Sequence, residues 1–124
     1  MSMRLKLAVT LVVGLAAAVS PTAAFAWGAL AINGNHGDAY GFSYSYGSRR
    51  AAENKALGEC GDNCRIVQVF ASGCAAYAAD QSPGSSIYGW WNGANSGGEA
   101  RSGAMGECRS HGGHQCIVRV WGCN

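Results

Sequence analysis

The sequence predicts a disulfide-stabilised α+β domain. Two strand–strand–helix–strand repeats would form a mostly antiparallel sheet with two helices on one face. Three observations carry this expectation. The run Ala52–Cys60 (AENKALGEC) returns as Ala100–Cys108 (ARSGAMGEC), about 48 positions later, a spacing typical of repeated supersecondary units. Each copy is followed by a Cys, a hydrophobic run and a Gly-Cys pair, at Cys64 to Gly73-Cys74 and at Cys116 to Gly122-Cys123. Tyr40, Phe42, Tyr44 and Tyr46 alternate with Gly41, Ser43, Ser45 and Gly47, the period of two of a half-buried strand.

The elements follow in order. Trp27–Ile32 is a short apolar strand, and Asn33 to Asp38, rich in Gly and Asn, is a turn. Ala39–Gly47 is the aromatic strand. Ser48 has the chemistry of a helix N-cap, and the helix it opens runs to about Cys60, burying Ala52, Ala56 and Leu57. Asp62-Asn63 turns into the strand Arg65–Phe70. The second repeat begins almost without a break, with strands at Ala75–Ala79 and Ile87–Trp91, joined by the turn Gln81–Ser86. A Gly/Asn-rich loop, Asn92–Gly98, precedes a helix over about Glu99–Cys108. That helix is weakened by Gly103 and Gly106, each costing about 1 kcal/mol against Ala unless it serves a close helix–sheet approach. Ile117–Trp121 is the last strand. Val67, Val69, Val118 and Val120 are expected to face the helices, and Gln68 and Arg119 to face away.

Residues 1–26 read as a secretory leader. Arg4 and Lys6 give a basic start, Leu7–Val19 is apolar, and Ala24-Phe25-Ala26 offers small residues to a signal peptidase. The apolar stretch is shorter than the roughly 20 residues of a membrane span. Cleavage after Ala26 would leave one small domain, residues 27–124, with repeats at about 27–74 and 75–124. Nine basic residues exceed seven acidic ones only through Arg4 and Lys6, so residues 27–124 carry no net charge with His neutral. Nucleic-acid binding and polybasic attachment to membranes therefore lose their electrostatic motive.

Six cysteines in a short exported chain read as a disulfide framework, with 15 possible pairings. Repeat symmetry selects Cys60–Cys64, Cys108–Cys116 and Cys74–Cys123. Loop entropy gives the two local bonds about 2–2.5 kcal/mol each and the long one about 4 kcal/mol. The long bond is expected to lock the two repeats together.

The ordered set Trp27-Gly28-Ala29-Leu30-Ala31, Ala52-Glu53-Asn54-Lys55-Ala56-Leu57, Cys60-Gly61, Cys64, Val67, Phe70, Cys74-Ala75-Ala76-Tyr77-Ala78 and Cys123-Asn124 resembles the secreted bacterial proteins grouped as domain of unknown function 4189. The resemblance covers essentially all of residues 27–124. It implies export, a compact disulfide-bonded domain and a role at a host or neighbour interface. Of the three bonds it supports Cys60–Cys64 and Cys74–Cys123 most. It brings no established reaction, so no catalytic residue is carried over.

Several groups could carry chemistry. Cys108, His111, His114 and Cys116 have the ligand types of a zinc site, but the spacing fits no standard finger and export favours a disulfide-closed loop. Cys60 and Cys64 are spaced unlike a redox pair, so a structural bond is expected. Glu59 and Glu107 are repeat mates that could share a proton across a pseudo-twofold, although both sit in a last helical turn, where the dipole disfavours negative charge. The aromatic strand is the best surface candidate. Tyr40 and Phe42 are expected in the core, and Tyr44, Tyr46, Trp90 and Trp91 as the exposed binding residues.

These features favour a non-enzymatic exported interaction domain, secreted or periplasmic and monomeric, that binds a host, competitor or envelope protein. The alternatives are a small carbohydrate-binding module on the aromatic face and a small hydrolase using Glu59 and Glu107. No catalytic residue, metal, cofactor, nucleic-acid partner or membrane attachment after cleavage is expected.

Overall fold

The computed structural model describes residues 26–33 and 38–124. The leader before Ala26 and turn residues 34–37 lie outside the described residues. The elements are β1 (Trp27–Ile32), β2 (Tyr40–Tyr46), α1 (Arg49–Cys60), β3 (Arg65–Phe70), β4 (Cys74–Asp80), β5 (Tyr88–Ala94), α2 (Gly97–Ser110) and β6 (Cys116–Cys123). The strand–strand–helix–strand order thus occurs twice. Ser48 and Ser96 cap the helices, their hydroxyls accepting the backbone N–H of Ala51 and Glu99. Capping of this kind satisfies donors that a helix start leaves orphaned.

The strands divide into two antiparallel three-stranded sheets rather than one. Their orders are β2-β1-β3 and β5-β4-β6, so the first strand of each repeat is central. The reason lies in the central strands, which are apolar on both faces. On β1, Ala29 and Ala31 pack under α1, while Leu30 and Ile32 turn the other way. On β4, Ala76 and Ala78 pack under α2, and Ala75, Tyr77 and Ala79 join Leu30, Ile32, Phe42 and Phe70 in a core between the sheets. A strand buried on both faces needs a cover on each. The helix supplies one cover and the other sheet supplies the second. The result is four layers, α1–sheet–sheet–α2, with the helices on opposite outer faces. Each large apolar side chain of the inner core contributes about 1.5–3 kcal/mol on burial.

The helix–sheet interfaces are built from the smallest side chains. Ala52 and Ala56 of α1, and Ala100 and Ala104 of α2, are fully buried. Gly41 of β2 and Gly89 of β5 occupy equivalent places beneath the helices. A Cβ on Gly41 would collide with Ala56 O, and one on Gly89 would lie 2.5 Å from Ala104 O. Both glycines are required by the closeness of the backbones.

Bulges alter the expected faces of β3 and β6. Register shifts between Leu30 and Ala31, and between Tyr77 and Ala78, leave Val67 and Arg119 as the extra residues. Such a shift reverses the alternation on one side of it. Val69 packs toward α1 and Val118 flanks α2, as expected, but Val67 and Val120 turn into the inter-sheet core. Gln68 does face away from α1. There it meets the second sheet, is only 4% exposed, and neither polar atom of its amide has a partner.

Three disulfides join the cysteines in the pairs that repeat symmetry selects. The expected role of the long bond needs correction. Cys74 and Cys123 are directly opposed on β4 and β6, so their bond staples the second sheet and does not cross to the first. The sheets are instead joined through the inner core and through polar ties. Tyr40 Oη donates to Arg119 O (3.1 Å), and Asn124 accepts from Ser45 N–H (2.8 Å) while donating to Phe70 O (3.3 Å).

Candidate functional site

The two sheets pair edge over edge. Gly122 of β6 lies beneath the rings of Phe42 and Tyr44 on β2, and Arg65 of β3 reaches the hydroxyl of Tyr88 on β5 at 3.5 Å. The β2/β6 and β3/β5 edges are therefore opposite sides of the sandwich, and the expected binding residues separate accordingly. Tyr44 is 50% exposed at the β2/β6 side. Tyr46 is only half-buried and packs with the cluster under α1. The break comes at Ser45, which takes a left-handed backbone (φ 61°) and interrupts the alternation that would have put Tyr44 and Tyr46 on one face. Trp90 and Trp91 lie together on the outer edge of β5, 37% and 40% exposed.

That edge holds a cleft of about 360 Å³ lined by Trp90, Trp91, Asn92, Glu107 and His111. Clefts of this size suit small ligands. Helix α2 supplies its floor through a stripe of residues four apart. Gly103 comes first, and a Cβ there would fall within 2.8 Å of three atoms of the Trp91 indole, so the ring rests on bare helix backbone. Glu107 is one turn further on, and His111 caps the helix beyond it. His111 Nδ1 lies 2.9 Å from Tyr88 O. A carbonyl only accepts, so this nitrogen carries the proton. His111 Nε2 then faces the Glu107 carboxylate at 3.9 Å. The Cys108–Cys116 bond holds this corner, with Gly113 N–H donating back to Cys108 O.

The first repeat closes the same corner. The buried residues of the helices correspond in sequence and spacing, Ala52, Ala56 and Cys60 with Ala100, Ala104 and Cys108, so Glu59 matches Glu107 and Lys55 matches Gly103. Glu59 accepts the N–H of Phe42 (3.3 Å) and pairs with Lys55 (3.4 Å). Its disulfide loop, Cys60–Cys64, spans 4 positions against 8 for Cys108–Cys116, and the extra residues bring in His111. The sequence offers this His only as a zinc-ligand type within a loop expected to be closed by a disulfide. Its place in the cleft, like that of Asn92, was not legible without knowing that α2 runs beside the β5 edge.

Glu59 and Glu107 do not meet. They lie on helices in opposite outer layers, with both sheets between them, so the shared proton expected across the pseudo-twofold has no geometric basis. Among the described residues no three His, Cys, Asp or Glu side chains gather as metal ligands, and all six cysteines are disulfide-bonded.

The other side of α2 has the opposite character. Arg101 and Arg109, with Ser102, Met105 and Val118, line an open groove beside β6. The exposed Trp121 stacks under the Arg101 guanidinium at 4.8 Å. Among the described residues no helix is long and apolar enough to cross a membrane.

No curated protein and no solved structure matches the chain. Residues 27–123 match the family model described as domain of unknown function DUF4189, and the chain belongs to that family.

Proposed function

We propose that the protein is an exported, non-enzymatic binding domain whose β5 cleft takes a glycan. The observation that carries this reading is the pair of half-exposed indoles, Trp90 and Trp91, beside Asn92, Glu107 and His111 on an edge held rigid by a disulfide. Flat apolar rings stack on the C–H faces of sugars, and nearby amide and carboxylate groups accept and donate to hydroxyls. Pre-organised aromatic side chains add this contact at low entropic cost. The leader-like residues 1–26 and the three disulfides support export.

The test is capture on immobilised envelope polysaccharide. Wild-type protein should be retained, and Trp91→Ala should be released while its thermal unfolding stays that of a folded domain. Retention of Trp91→Ala at the wild-type level would remove the cleft as the site.

A protein partner is the second reading, favoured by the groove beside β6. Arg101, Arg109, Trp121 and the exposed Ile117 would suit an acidic segment laid along a free strand edge. Loss of protein capture in Arg109→Glu, with glycan retention intact, would favour that groove.

A further inference from the structure

We infer that the β5 cleft selects a protonated amine, so that the glycan it takes carries unacetylated amino sugars. This rests on the glycan reading above and adds the chemistry of the sugar. The two repeats differ at this corner. In the first, the carboxylate at the end of the helix is satisfied internally, since Glu59 holds the Lys55 ammonium at 3.4 Å and the Phe42 N–H at 3.3 Å. In the second, the carboxylate is kept as Glu107, but the ammonium is gone. The matching position is Gly103, and the space where a side chain would begin is filled by the Trp91 indole. Glu107 instead faces His111 at 3.9 Å, too far for a hydrogen bond.

The charges around the cleft point the same way. Its lining holds one carboxylate and no Lys or Arg. Both arginines of α2, Arg101 and Arg109, line the groove on the opposite side of the helix. The second repeat therefore lacks the lysine of that surface pair, keeps only the His111 imidazole beside the carboxylate, and has an aromatic surface where the lysine would begin. An ammonium group brought by a ligand suits both the carboxylate and that surface. It donates to the Glu107 carboxylate, and it is attracted to the indole faces. An N-acetyl group offers neither, because it is uncharged and its single N–H makes a weaker hydrogen bond.

The experiment is titration calorimetry of the whole protein with the tetrasaccharides of glucosamine and of N-acetylglucosamine. The expected result is about tenfold tighter binding of the glucosamine tetramer, the effect of one charge-assisted hydrogen bond at a half-exposed carboxylate. Glu107→Gln should bring the two affinities together without abolishing binding of the acetylated sugar. Glu59→Gln, in the repeat whose corner is closed, should leave the preference unchanged. Equal binding of both sugars by the wild type would overturn the amine selection and leave the glycan reading standing. Preference retained in Glu107→Gln would also overturn it. Binding of neither sugar would overturn both.

Discussion

The closeness of helix and sheet at Gly41 makes a sharp test of the packing. In Gly41→Ala the new methyl would collide with Ala56 O and sit 2.7 Å from Ala56 C and 2.9 Å from Cys60 N. All three are backbone atoms of α1, so no side chain can swing aside. The helix must lift from β1 and β2, loosening the fully buried Ala29, Ala31, Ala52 and Ala56. Overpacking in a tight core costs roughly 1–3 kcal/mol, and a backbone obstacle puts this case at the upper end, about 3 kcal/mol. For a domain of this size each kcal/mol moves Tm by about 4–8 °C, so a fall of about 12–24 °C is expected. Gly58→Ala is the internal control. Gly58 also belongs to α1, but nothing lies within 4 Å of its missing Cβ. Replacing this last-turn helical glycine should stabilise by about 0.5 kcal/mol. Circular-dichroism melts of the oxidised proteins read both effects. A Gly41→Ala protein melting within about 4 °C of the wild type would refute the claim that α1 rests directly on the sheet.

Three further outcomes are expected. Asp80 is buried and accepts from the Ser85 hydroxyl, Gln115 N–H, Ser82 N–H and the Ser82 hydroxyl, which together hold its carboxyl down at about 2 from an ordinary 3.8 despite the opposing effect of burial. Its contribution is therefore complete above pH 3.8 and is lost as pH falls toward about 2, so wild-type Tm should drop through that window and Asp80→Asn should flatten the drop. Gln68→Met should raise stability by about 1–3 kcal/mol in denaturant unfolding, because it removes two buried polar atoms without partners; an unchanged midpoint would mean that water reaches the amide. Replacing Cys74 and Cys123 by Ala should cost about 4 kcal/mol against about 2 kcal/mol for Cys60 and Cys64, and equal losses would show that loop length does not govern.

Local structure was legible in the sequence because the chain states it twice. The duplicated helix, its Ser48 cap and the strand after each Cys follow from residue types and spacing, and so does the pairing of cysteines within each copy; the Ser96 cap lay hidden in the loop before α2. What was not legible depends on how the copies meet. Ala29–Ile32 and Ala75–Ala79 are apolar at every position, the mark of strands covered on both faces. A single sheet with helices on one side would leave one of those faces bare. The aromatic alternation from Tyr40 to Tyr46 was misleading for a different reason, since one residue in a left-handed backbone at Ser45 ends it. For the candidate site, Trp90 and Trp91 were named in the sequence as surface aromatics, but the repeat match of Trp90 to the buried Phe42 pointed the other way. The contributions of Glu107 and His111 were not legible, because they depend on which side of α2 lies beside β5.

The confinement of Cys74–Cys123 to one sheet changes what kind of object the molecule is. Each bond closes within one sheet-and-helix unit: Cys60–Cys64 in the first, Cys74–Cys123 and Cys108–Cys116 in the second. Only the segment Ala71–Gly73 joins the units covalently. The chain is thus a tethered pair of halves, each able to complete its own oxidation, with no thiol waiting for a partner in the other half. A protease cut at Ser72 would leave two separately cross-linked pieces held by an apolar seam. Such pieces could be exchanged between molecules or supplied as separate chains and reassembled, without breaking a single disulfide.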